Sequence, residues 1–204
     1  MADEQKLTEQ ESLQLIRQMI HLAKKEQKDD GEGWILWGWM LFLVSVLTVI
    51  NIHFDWVENY FFWNIFGWIS LLLLLYQVIA KFFFTRNEKV KTYTKDLFSK
   101  LNTGFFICLI FIIIAINVGI QPKIGFALLI NLYAFWILIY GSALDFRPSV
   151  IGAYITWSLG FIALFTKTFE QVMLLHAAAV LVGYIIPGHI ANHEFKKLRY
   201  KEKN

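Results

Sequence analysis

From residue 101 to residue 187 the sequence places only five charges, Lys123, Asp145, Arg147, Lys167 and Glu170, and the runs between them are apolar. Those runs have the length that crosses a hydrocarbon layer, about 17–25 residues. A backbone in lipid must pair every N–H and C=O internally, so only helices and closed barrels span it. Barrel strands alternate apolar and polar side chains. The runs here are continuously apolar, which selects helices. Six are read, over residues 34–52, 60–84, 103–120, 125–144, 148–165 and 169–187. The composition agrees: 57% of the 204 residues are hydrophobic and 17% charged, where a soluble domain carries about 25% charge. The expected fold class is therefore all-α, a polytopic membrane protein of six transmembrane helices preceded by an amphipathic cytoplasmic helix.

Three parts follow along the chain: residues 1–33, a cytoplasmic or interfacial helical segment; residues 34–188, the six-helix bundle; and residues 189–204, a basic tail. The first part begins with an acidic, polar stretch rather than the basic and apolar regions of a signal peptide, so the first apolar run is expected to be retained. Thr8-Glu9-Gln10-Glu11 fits a capping box, in which side chains satisfy the first free amides of a helix. Leu13, Ile16, Ile20 and Ala23 then recur at spacings of 3, 4 and 3, one apolar stripe on a helix. Leu13, Ile16 and Ile20 form the candidate face for docking a protein partner.

Orientation is read from Lys and Arg. The N-terminal part, the loop between the second and third spans, the turn after the fourth and the tail hold 17 of them. The opposite side holds 2, Lys123 and Lys167. Positively charged loops stay in the cytoplasm, and an even number of spans puts both termini there. Trp34, Trp37, Trp39, Trp56, Trp63, Trp136 and Trp157 fall mostly near span ends, as interfacial indoles do. The single cysteine, Cys108, can make neither an internal disulfide nor a zinc site.

Three local patterns stand out: Asp29-Asp30-Gly31 with Trp34-Ile35-Leu36-Trp37-Gly38-Trp39; Phe146-Arg147-Pro148 leading to Gly152 and Trp157; and Tyr184-Ile185-Ile186-Pro187-Gly188-His189. With the leading amphipathic helix they resemble an uncharacterised family of small bacterial inner-membrane proteins. The resemblance implies that membrane and a shared architecture over nearly the whole chain, and it brings no activity with it.

Polar side chains inside the spans are the remaining candidates, because a polar group in lipid is costly unless it faces protein or water. His176 is foremost, about 10 Å inside the sixth span at 1.5 Å per residue. It shares a face with Ala179, Gly183 and Pro187, and small residues on a stripe let a second helix approach. The second span repeats Trp63, Gly67, Ser70, Leu74 and Gln77 at 4, 3, 4 and 3. Asn131 and Asp145 fall near one face of the fourth, with Asn117, Tyr154, Thr156 and Ser158 as further candidates. His176, Gly183, Ser70, Gln77 and Asn131 thus form the candidate intramembrane polar site. Interhelical hydrogen bonding is the ordinary explanation of such a set; a pH-sensitive, ligand-binding or conducting role is the sharper one. His189 and His193, four apart, have metal-compatible spacing but lack the intervening Glu of a zincin motif.

No phosphate loop, nucleophile elbow or carboxylate pair is present, and no cofactor, metal or nucleic acid is expected. The sequence supports a membrane-anchored interaction or regulatory protein, in contact with the bilayer, with a protein partner through its N-terminal helix, and with other copies of itself. The alternative is a small channel or transporter for a modest solute or proton, and a remote third is an intramembrane enzyme.

Overall fold

Long apolar runs fold as helices because the α-helix pairs its own backbone without help from neighbours. The computed structural model describes residues 31–58, 60–84 and 93–203. Among these, every element is helical: α1 (Glu32–Phe54), α2 (Phe61–Phe84), α3 (Tyr93–Val118), α4 (Pro122–Ala143), α5 (Arg147–Phe165), α6 (Phe169–Val180), a π-helical segment (Leu181–Ile185) and α7 (Ile186–Lys203). Among the described residues, five helices are long and apolar enough to cross a membrane: Glu32–Phe54, Asp96–Val118, Pro122–Ala143, Arg147–Phe165 and the continuous Phe169–Lys197. α2 contributes a shorter apolar stretch, Phe61–Leu73. The expected N-terminal helix, with Leu13, Ile16 and Ile20, lies outside the described residues.

Local chemistry sets the helix ends. Gly31, at φ 76°, takes the left-handed conformation that only glycine adopts freely and turns the chain into α1. Proline occupies the first turn of α4 and of α5, where its missing N–H costs nothing. Thr168 and Gln171 close a full capping box on α6.

Packing then sorts the helices into a core and a periphery. α4 and α5 make the most extensive pair, α6 lies against α1 and α5, and α3 packs chiefly on α4. Ile130, Ala134 and Ile137 of α4, Ala153 of α5, and Val172, Met173 and Val180 of α6 are fully buried. By contrast Trp68, Leu72 and Tyr76 on α2 and Ile107, Phe111 and Val118 on α3 are exposed, the surface lipid accepts and water does not. Cys108 is on that exposed side of α3.

Two boundaries differ from the sequence reading. α3 begins at Tyr93, ten residues before the third apolar run. Phe98 explains this: it is buried, with its ring 5.8 Å from that of Tyr140, and Asp96 and Lys100 pair at 2.6 Å one turn apart. The amphipathic turns are therefore anchored at both faces. The sixth span, in turn, does not stop at Pro187-Gly188. A proline lacks the N–H that an α-helix needs and collides with the carbonyl four residues back. Here the helix widens just before Pro187, so that Ile186 N–H reaches back to Leu181. The widened turn absorbs the proline, and the helix runs on through the tail to Lys203.

Candidate functional site

His176 lies at the centre of the bundle with none of its surface exposed. α6 places it against α1, where Ser45 Oγ stands 2.8 Å from Nδ1. Ser45 owns one hydroxyl proton and donates it to the Leu41 carbonyl at 2.7 Å. The imidazole is therefore assigned its proton on Nδ1, donating to Ser45, and Nε2 keeps a lone pair. That nitrogen is buried and has no hydrogen-bond partner. Three rings enclose it edge-on: Trp63 of α2 at 5.4 Å between centroids, Tyr133 at 5.7 Å and Phe126 at 5.9 Å, both of α4. The indole N–H of Trp63 is also buried and unpartnered. A donor and an acceptor, both unsatisfied, thus sit on adjacent rings in an aromatic chamber.

Ser45 belongs to a polar face on α1 that the sequence reading passed over. Gly38, Leu41, Ser45, Thr48 and Asn51 are all buried, at spacings of 3, 4, 3 and 3. Thr48 returns its hydroxyl to the Val44 carbonyl. Asn51 grips the loop that follows: its Nδ2 donates to the Val57 carbonyl at 2.8 Å and its Oδ1 accepts from Val57 N–H at 2.9 Å. The signal was present as periodicity, but small hydroxyls in an apolar run read as tolerated residues rather than as a face.

The other expected residues divide. Gly183 sits in the π segment, where an added Cβ would come within 2.6 Å of Ile137 Cδ1 and 2.8 Å of Thr156 Oγ1. Small size at this position is what lets α4 and α5 close on it. Thr156, fully buried on α5, donates across to the Ala179 carbonyl at 3.3 Å, two residues before the helix widens. Asn131 gives its amide to Ala127 of its own helix and packs beside Gly160. Ser70 Oγ is buried without a partner, two turns along α2 from Trp63. Gly67, between them, has open space around it, so the expected inward stripe of α2 holds at Trp63 and loosens beyond. The Gln77 side chain lies outside the described residues. Asn117 and Ser158 bond to their own helices in exposed positions.

At the other end of the core, Trp34, Tyr140, Asp145, Phe146, Ser149, Pro187 and Glu194 line a cleft of about 90 Å³. Asp145 holds a left-handed backbone there, at φ 56°. His189 and His193 are exposed on α7, and no group of three metal-ligand side chains occurs among the described residues. Compared with protein-family models, with curated proteins and with solved structures, the chain has no match.

Proposed function

We propose that this chain is a six-span protein of a bacterial inner membrane, with both termini in the cytoplasm, that works as a membrane-anchored interaction or regulatory protein. The observation that carries the reading is the closure of the polar core. Ser45, Thr48, Asn51, Thr156 and His176 are each at most 1% exposed, and their hydrogen bonds join helices or fold back on them. Such groups serve as interhelical glue. A conducting path would set them against water. The 17-to-2 division of Lys and Arg supports the orientation, since positive loops stay inside, and it directs the N-terminal stripe of Leu13, Ile16 and Ile20 toward cytoplasmic partners.

A small-solute or proton channel is the second reading. It is favoured by the unpartnered atoms of Trp63, Ser70 and His176, since a passing solute supplies partners that the protein withholds.

Two experiments test these readings. In a Cys108→Ser background, cysteines placed at Gln121 and Lys167 should react with an impermeant thiol reagent in intact spheroplasts; strong labelling at Lys95 would reverse the orientation. For function, a photo-crosslinker at Ile16 should trap a discrete partner that Ile20→Asp abolishes, while proteoliposomes hold a proton or solute gradient. A leak that His176→Leu removes would favour the channel and end the interaction reading.

A further inference from the structure

Lys123 and Lys167 are the two cations on the lysine-poor side of the chain, and the fold brings them together. Both line one open pocket of about 300 Å³, with Tyr60, Gln121, Pro122 and Phe169. Lys123 stands in the first turn of α4 and Lys167 just before α6, so two helix N-termini frame the same space. The start of α4 carries a partial positive charge from its unpaired amides, whereas the capping box at α6 already occupies part of that helix start. At α4 the cap residue Gln121 makes no side-chain cap bond. No carboxylate lines the pocket; the nearest in sequence, Glu170, is drawn toward His53 of α1 at 3.7 Å. Tyr60 and Phe169 supply an aromatic wall, their rings 5.9 Å apart. Two lysines, the uncapped start of α4, a phenol and an amide thus line one space, with no carboxylate among the lining residues.

We propose that this pocket binds a phosphate-bearing anion. Lysine is a point-charge phosphate ligand on a flexible stem, and helix N-termini accept phosphate for the reasons just given. The chemistry is shared by the headgroup of a phospholipid and by a free phosphate; the pocket's place at the ends of apolar helices, beside an aromatic wall, suits either. The inference goes beyond the interaction reading and does not depend on it.

The test uses the full chain, delipidated in detergent, in native mass spectrometry. It is titrated with phosphatidylglycerol, with diacylglycerol as the phosphate-free control, and with inorganic phosphate as competitor. Lys123→Gln with Lys167→Gln should weaken phosphatidylglycerol binding by about fivefold for each lysine, while the paired Lys→Arg variant should bind as the wild type does. Diacylglycerol should bind the wild type and the Gln pair alike. Displacement of the lipid by millimolar phosphate would identify a free-anion site; lipid binding that phosphate leaves unchanged would identify a headgroup site. Equal affinity of the wild type and the Gln pair for both probes, or binding of neither probe, would overturn the proposal. Thermal melts accompany each variant. Should the Gln pair melt early, Lys167→Gln alone, at the more exposed position, reads the same effect at half size.

Discussion

Ser45→Ala should cost far more than the loss of one small hydroxyl, and the reason is the proton count at His176. The serine already satisfies itself on Leu41, so its removal leaves nothing of its own unpaired. What it strands is the imidazole. With Nε2 already bare, the ring would then have no hydrogen bond at either nitrogen, in full burial. Stranding a buried donor costs about 1–3 kcal/mol, although direct measurements of hydrogen bonds within membranes average nearer 0.6 kcal/mol. A loss of about 1–2 kcal/mol, and a melting midpoint lower by on the order of 5 °C, is therefore expected. In a His176→Leu background the same Ser45→Ala change has no ring to strand and should cost about 0.3 kcal/mol or less, within the scatter of independent sites. The assay is a double-mutant cycle of thermal or denaturant unfolding in one detergent. Whatever His176→Leu does alone cancels from the cycle. If Ser45→Ala costs the same in both backgrounds, the 2.8 Å contact carries no energy and the tautomer argument fails.

The remaining predictions concern close approaches and the loop lock. Gly152→Ala would set a methyl 2.7 Å from the Val182 carbonyl; a backbone atom cannot swing aside, so a loss of about 1–3 kcal/mol is expected in the same melts. Gly67→Ala meets nothing within 4 Å and, in mid-helix, should raise stability by up to about 0.5–1 kcal/mol. Asn51→Ala breaks both bonds to Val57, and limited proteolysis of proteoliposomes should then cut near Val57 several times faster, with no change at the Asp145 turn.

How far the sequence reads ahead depends on which force dominates each element. The described spans are legible because their cause is local: an unbroken apolar run must satisfy its own backbone, and α4 and α5 begin within three residues of their expected starts. The early start of α3 was hidden because it depends on Phe98 finding Tyr140, a contact between distant segments. A helical continuation past Pro187 fits the spacing of His189 and His193, but the sequence leaves Gly188 as an equal stop because a widened turn has no composition of its own. At the site, His176 and Gly183 stood out as an expensive group and a permissive one. Ser45 did not, since a serine in an apolar run acquires meaning only from what faces it. Ser70 is read from the stripe of the second span and Asn131 from the face it shares with Asp145, yet Asn131 bonds within its own helix and Ser70 Oγ has no partner.

The widened turn before Pro187 has a consequence for everything after it. A π segment holds an extra residue relative to an α-helix covering the same rise, and one residue of α-helix is about 100° of rotation. The azimuth of the whole tail, and hence the compass bearing of His189, His193 and the lysines beyond, is therefore set inside the core by where Leu181–Ile185 sits. Closing that turn to regular α geometry with all its residues kept would leave the tail helical while swinging its charged side through about a quarter of a circle. The core thus works as the indexing mechanism for the tail's surface, and a deletion of one apolar residue within the widened turn, which removes the extra residue itself, would leave the tail's bearing almost unchanged.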